Sequence, residues 1–131
     1  MINKAINEKQ DIINVSYKLA EKDMDVSLFR KILSWGSSFL YKSLFSKIKK
    51  YNITVLTCSY RIYNLEKIKD IKLRSDDFNC CAELLIKSMI KNLNITEIAG
   101  ENIGRKFGYS KMKIMKNIFN ILKTIFLIKI N

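Results

Sequence analysis

Seven consecutive residues, Arg105, Lys106, Phe107, Gly108, Tyr109, Ser110 and Lys111, combine the side chains that an anion site needs. Arg105 can grip a phosphate through two parallel N–H donors, and Lys111 adds a compact charge. Gly108 opens positive φ to the backbone at little steric cost. Ser110 suits the N-cap of a following helix, whose first amides then point at the anion. The spacing predicts a phosphate-binding loop that runs into a helix. In a chain rich in lysine, a solvated basic turn is the alternative.

Other groups with chemical potential are scattered upstream. Arg30 and Ser34 lie four residues apart in a segment of helical periodicity, residues 26–49, so they share one side of a helix. The apolar positions Val26, Phe29, Leu33, Gly36, Leu40 and Leu44 predict its buried face, and Ser27, Arg30, Ser34, Ser37, Ser38 and Tyr41 a polar stripe beside it. A guanidinium above a row of hydroxyls reads as a second phosphate clamp or as a serine-rich solvent face. Arg61, within the β-rich residues 54–63, reads as an ion-pair partner or a phosphate ligand. Glu83 lies inside a predicted helix and is either salt-bridged or within reach of a site at the helix edge. Asp23 and Asp25 have the D-x-D spacing of a divalent-metal pair, but no apolar strand precedes them, which favours a helix cap and first-turn acids.

The chain has 131 residues, enough for one domain or part of one, and its 48% apolar content is enough for a folded core. A formal charge of +12 favours polyanions, phosphorylated ligands or anionic membrane surfaces. The absence of histidine excludes His-activated nucleophiles, His general bases and His metal ligands. Cys58, Cys80 and Cys81 lack zinc-ligand spacing and read as reduced thiols in a cytosolic compartment, with Cys81 as a small core residue. There is no proline, and three of the four glycines (Gly100, Gly104, Gly108) fall within nine residues beside the opening motif. Residues 1–10 lack the apolar run of a secretory signal.

The elements that must position these groups follow from periodicity. Residues 11–16 predict a buried strand, and residues 17–25 a loop. Residues 54–63 predict a strand with a turn near Cys58 and Ser59. Residues 65–72 predict a short helix or turn. Asp77 can cap a helix over residues 78–92, with Phe78, Ala82, Leu85, Met89 and Leu93 on its apolar face. Residues 94–98 predict a strand that leads into the glycine-bearing loop. Residues 112–130 predict an amphipathic helix too charged to span a bilayer. It suits the membrane surface, with Lys113, Lys116, Lys123 and Lys129 reaching lipid phosphates. A helix packed on the domain's own core, or the lead-in to a spanning segment, is the alternative.

Taken in order, these segments resemble the family 2 glycosyltransferases, above all the branch that charges polyprenyl phosphates, the dolichol-phosphate mannose synthase type. The match is carried by a strand, a long Arg/Ser helix, a T-x-S-aromatic-Arg segment, a helix with a central glutamate, an I-x-E strand and R-x-x-G-x-S-K. It covers the chain from about Asp11 to the C-terminal helix. The resemblance implies an α/β chain with a partial GT-A-like fold. This is the acceptor half, helix-rich with a few short strands, over residues 1–111, followed by an amphipathic interface helix over residues 112–131. It implies that Arg30, Ser34, Arg105, Ser110 and Lys111 hold the acceptor phosphate, with Ser16, Arg61, Glu83 and Gly108 in support. Thr57 and Tyr60 match the Thr and aromatic of the third motif.

The chain departs from the family at Tyr17, where an arginine is usual, at Val55 for aspartate, at Ser59 for glycine and at Ala99 for proline. The implied reaction is attack of a polyprenyl (dolichyl or undecaprenyl) phosphate oxygen on the anomeric carbon of a nucleotide-sugar. The metal-bearing D-x-D half is not in this sequence. The expectation is therefore a truncated or split enzyme, inactive alone, with no cofactor of its own. The divalent Mg or Mn and the nucleotide-sugar belong to a separate N-terminal half. Its expected place is cytoplasmic, peripheral at the cytoplasmic face of the membrane, with no nucleic-acid partner. The readings from other classes are a basic nucleic-acid-binding module and a membrane-surface module without catalysis.

Overall fold

The computed structural model describes residues 8–16, 19, 28–100 and 114–130; the side chains of Phe29, Arg30 and Ile114 are not among those described. It is a small mixed α/β domain, about half helical, with four α-helices and one three-stranded sheet. Strand β1 (Ile12–Ser16) is central. Strand β2 (Arg61–Tyr63) pairs with it antiparallel, and strand β3 (Ile95–Ala99) pairs with it parallel on the other side. All five β1 residues are buried, as the apolar run predicts for a strand covered on both faces.

Helix α1 (Leu28–Leu44) ends where Phe45 turns extended, and a 3-10 turn (Ser46–Ile48) follows. Helix α2 (Leu65–Ile68) is one turn long, and Asn64 caps it by accepting from the Glu66 amide at 3.2 Å. Helix α3 (Cys80–Ile90) stops at Asn92, which takes φ 60°, while the Asn92 and Leu93 amides return to the Met89 and Ser88 carbonyls at 3.0 and 3.1 Å. This is a Schellman ending with asparagine in the left-handed position that glycine usually fills. Helix α4 (Ile114–Lys129) packs on α3.

Ile12, Tyr41, Ile48, Ile53, Leu56, Ala82, Leu85, Ile86, Met89, Ile121, Ile125 and Ile128 form one buried apolar cluster. Strand β1, α1, α3 and α4 thus all face a shared interior, and no helix is long and apolar enough to cross a membrane among the described residues. The expected apolar face of α3 is buried at Ala82, Leu85 and Met89, whereas Phe78 is 77% exposed and precedes the helix. Cys81 is half-buried instead of a core residue, and all three cysteines are unbridged.

Two expectations are corrected. First, residues 54–60 do not form strand. The amides at the start of this segment are satisfied by side chains: those of Thr54 and Val55 donate to the Glu97 carboxylate at 2.8 and 3.4 Å, and that of Leu56 donates to Ser38 Oγ at 3.3 Å, while at its end the Tyr60 carbonyl accepts from the Val15 amide at 3.1 Å. Amides so held have no need of a ladder partner. Second, α1 is rotated about its axis relative to its expected orientation, with Leu40 still packed on the core and Leu33 half-buried. Ser37, Ser38 and Tyr41 of the polar stripe are buried, while Gly36 is exposed and Leu44 is 38% exposed. The serines face inward because the irregular segment 54–57 beside them supplies the polar partners that an apolar core would not.

Candidate functional site

Strands β1 and β3 run parallel with Ser16 opposite Ala99, and the Gly100 amide donates to the Ser16 carbonyl at 3.1 Å. The chain therefore leaves both strands at the same sheet edge. Open α/β sheets bind ligands beyond the carboxyl ends of parallel strands, where successive connections part. A Cβ on Gly100 would lie 2.1 Å from Val15 Cγ1, so only glycine lets the chain pass so close over the buried valine at this exit.

Hydroxyls collect at this edge. Ser16 Oγ lies 2.6 Å from Thr54 Oγ1. Ser34 Oγ lies 3.4 Å from Thr57 Oγ1, and Ser37 Oγ donates to the Ser34 carbonyl at 3.0 Å. Segment 54–57 thus touches the end of β1 on one side and the serine stripe of α1 on the other. Ser34, Thr54 and Thr57 are half-buried, and Arg30 precedes Ser34 by one turn of the same helix. Hydroxyls donate and accept alike, so such a row can donate to a proton-poor phosphate oxygen.

Beneath the hydroxyls lies a more closed polar seam. Asn14, a lone amide within the apolar β1, donates to the Glu97 carboxylate at 2.7 Å and to the Val55 carbonyl at 3.1 Å. Its oxygen accepts from Arg61 Nε at 2.6 Å. Arg61 also donates through Nη1 to the Cys81 carbonyl at 2.6 Å and the Tyr63 hydroxyl at 3.5 Å, and through Nη2 to the Leu56 carbonyl at 2.6 Å. Among the described residues its partners are neutral groups, neither a carboxylate nor a ligand-facing gap. Arg61 ties β2, the irregular segment and α3 together. Glu97 does the same for β3 and segment 54–55.

Glu83 is fully buried and points to structure. Its carboxylate accepts from the Arg74 amide at 3.1 Å and the Ser75 amide at 2.9 Å, and it pairs with Lys87 Nζ at 2.7 Å. Burial pushes this carboxyl up, but the Lys87 ammonium and the Ser75 and Arg74 donors outweigh it and hold the group below the ordinary glutamate value. Asp77 accepts from the Asn79 amide at 3.0 Å and from the Asn120 side chain, which joins the start of α3 to α4. Tyr41 is buried with a hydroxyl that meets no partner among the described residues. Its burial, and the nearby Asp77 and Glu83 charges, raise its pKa.

The structure therefore brings Ser16 and Ser34 of the sequence-predicted site to one edge and assigns Arg61 and Glu83 to internal bonding. Arg105, Gly108, Ser110 and Lys111 lie outside the described residues, as do Asp23 and Asp25. Sequence reasoning missed Asn14 and Thr54. The signal for Asn14 was present: an amide in the middle of IINVS needs several partners once buried.

A cleft of about 560 Å³ opens at the opposite end of the sheet, lined by Lys9, Asp11, Tyr63, Asn64, Lys67 and Asn94 among others. Asp11 there is occupied in bonding the strand starts, its carboxylate accepting from the Asn94 amide at 2.9 Å. Among the described residues no three His, Cys, Asp or Glu side chains cluster as metal ligands. Comparison of the chain with protein-family models, with curated proteins and with solved structures gave no match.

Proposed function

We propose that this chain is the acceptor-phosphate half of a family 2-type glycosyltransferase with a GT-A-like arrangement, and that its ligand is a polyprenyl phosphate. One observation carries the reading. The hydroxyl pairs Ser16–Thr54 and Ser34–Thr57 are joined through segment 54–57 at the carboxyl end of β1, where it runs parallel to β3. The segment with Arg105, Ser110 and Lys111 follows β3 from that same edge, and Arg30 stands one turn before Ser34. The order of motifs along the sequence supports the same assignment.

In this reading the hydroxyl row and the arginines position the phosphate and offset its charge, which is the protein's main task when the nucleophile is already an anion. A separate half supplies the nucleotide-sugar and its metal; the chain alone transfers nothing. The domain works as a peripheral protein at the cytoplasmic face of the membrane. Helix α4 supports a surface location, since its core-facing Ile121, Ile125 and Ile128 leave Lys116 and Lys123 exposed. Binding of a polyprenyl phosphate in detergent tests the assignment. Arg105→Ala weakens it far more than Lys116→Ala. Equal losses would mean general charge attraction and would end the assignment.

A further inference from the structure

Helix α1 turns a row of large apolar side chains to solvent. Leu28 is 70% exposed, Ile32 52%, Trp35 49% and Phe39 75%. Their spacing of four, three and four residues sets them on one face of the helix. The same helix sends Ser37, Ser38 and Tyr41 inward. Hydroxyls inside and a Leu–Ile–Trp–Phe row outside reverse the ordinary surface helix, and a contiguous apolar row of this kind marks a surface that another body covers.

Charge identifies the covering body. Helix α1 contains no Asp or Glu; its ionisable residues of either sign, besides Tyr41, are Arg30, Lys31 and Lys42. Helix α4 repeats the pattern. Met115, Phe119, Leu122 and Phe126 are exposed at the same four, three, four spacing, and its ionisable residues are Lys116, Lys123 and Lys129. Apolar rows on helices whose charged residues are all cationic match an anionic lipid surface, which takes up aliphatic and aromatic side chains at the headgroup boundary and attracts lysine and arginine without a fitted pocket. Tryptophan is at home at that boundary.

We propose that the Leu28, Ile32, Trp35 and Phe39 row of α1 docks on an anionic bilayer, apart from any contact made by α4. This docking stands whether or not the chain binds a lipid phosphate at the β1 edge. It places the serine side of α1 away from the lipid and its apolar side in it.

Trp35 is the chain's single tryptophan, so its fluorescence reports on this row alone. The full chain is titrated with vesicles of phosphatidylglycerol and phosphatidylcholine, and with phosphatidylcholine vesicles, neither containing polyprenyl phosphate. Anionic vesicles move Trp35 emission to shorter wavelength, brominated acyl chains quench it, and added salt weakens the response. Ile32→Glu with Phe39→Glu keeps the helical circular dichroism and lowers vesicle affinity about tenfold or more, the scale of two apolar side chains kept out of lipid. Brominated-lipid quenching of the unmutated chain decides the matter if that variant misfolds. Vesicle binding with Trp35 unshifted and unquenched overturns the proposal, as does an equal response to neutral vesicles. A dimer whose Trp35 is already shielded and ignores vesicles overturns it too, in favour of a second copy of the chain. Failure to bind polyprenyl phosphate leaves these results untouched and bears on the glycosyltransferase reading alone.

Discussion

Two polar regions sit within a few residues of each other along β1, and they are built differently. Around Asn14, every contact of Arg61 and Glu97 ends on backbone or on a buried amide or hydroxyl of the domain itself. Two residues further on, Ser16 and its neighbours pair hydroxyl to hydroxyl beside half-buried Ser34 and Thr57, at the edge where the chain leaves the sheet. The first region spends its charges on holding an irregular segment in place. The second sets the half-buried hydroxyls of Ser34, Thr54 and Thr57 beside the buried Ser16, as small donors and acceptors at the carboxyl end of β1.

The largest effect separates the two regions. Arg61→Ala leaves the Leu56 carbonyl and the Asn14 oxygen without the Arg61 donor and removes a second donor from the Cys81 carbonyl. It lowers stability in urea by about 3 kcal/mol or more, since each buried group left unpaired costs of order 1–3 kcal/mol. If stability holds and only ligand binding falls, Arg61 belongs to the second region.

Glu83→Gln comes next. It removes the charge-assisted bond to Lys87 and weakens those to Ser75 and Arg74, costing about 2 kcal/mol near neutral pH. The pH dependence carries its sign. The Glu83 carboxyl sits below its ordinary 4.5, so the unfolded chain protonates it first as pH falls. Its contribution is complete above 4.5 and is lost as pH drops through the lower folded value. Urea midpoints measured across that acid range fall steeply in the unmutated chain and less steeply in Glu83→Gln. Parallel curves would place the acid sensitivity elsewhere.

The smallest effect on stability sharpens the contrast most. Ser34→Ala with Thr57→Val removes a pair 3.4 Å apart and changes stability by less than about 1 kcal/mol. The same pair of substitutions weakens polyprenyl phosphate binding by about tenfold, as expected for losing hydrogen bonds to an anion. A fall in stability with binding intact would reverse the roles given to the two regions.

Much of the frame was legible in the sequence. The buried run of β1 and the 3.6-residue period of α3 reflect burial that periodicity measures directly, whereas the period of α1 marks a helix but not its inward side. Residues 54–60 were misread because their β-branched content signals strand, while the backbone partners of residues 54–56 are side chains: Glu97, Ser38 and Asn14, distant in sequence, and the nearby Arg61. The orientation of α1 was misread for a related reason. Both of its faces carry apolar residues, and only the polar segment opposite Ser34, Ser37 and Ser38 decides which side turns inward. Ser16 and Ser34 were singled out through motif order, and the structure brings them to one end of the sheet. The salt-bridged reading of Glu83 is met by Lys87. Arg61 meets neither an ion-pair partner nor a ligand but neutral oxygens, because a charged side chain looks the same in sequence whether it meets a carboxylate or a carbonyl.

The central claim is that the hydroxyl edge of β1 holds a lipid-borne phosphate. Farnesyl phosphate titrated into the isotopically labelled full chain, followed by amide chemical shifts, tests it residue by residue. The account predicts the largest changes at Ser16, Ser34, Thr54 and Thr57. Changes centred on Lys9, Asn64 and Lys67 at the opposite end of the sheet, or no saturable change, would contradict it.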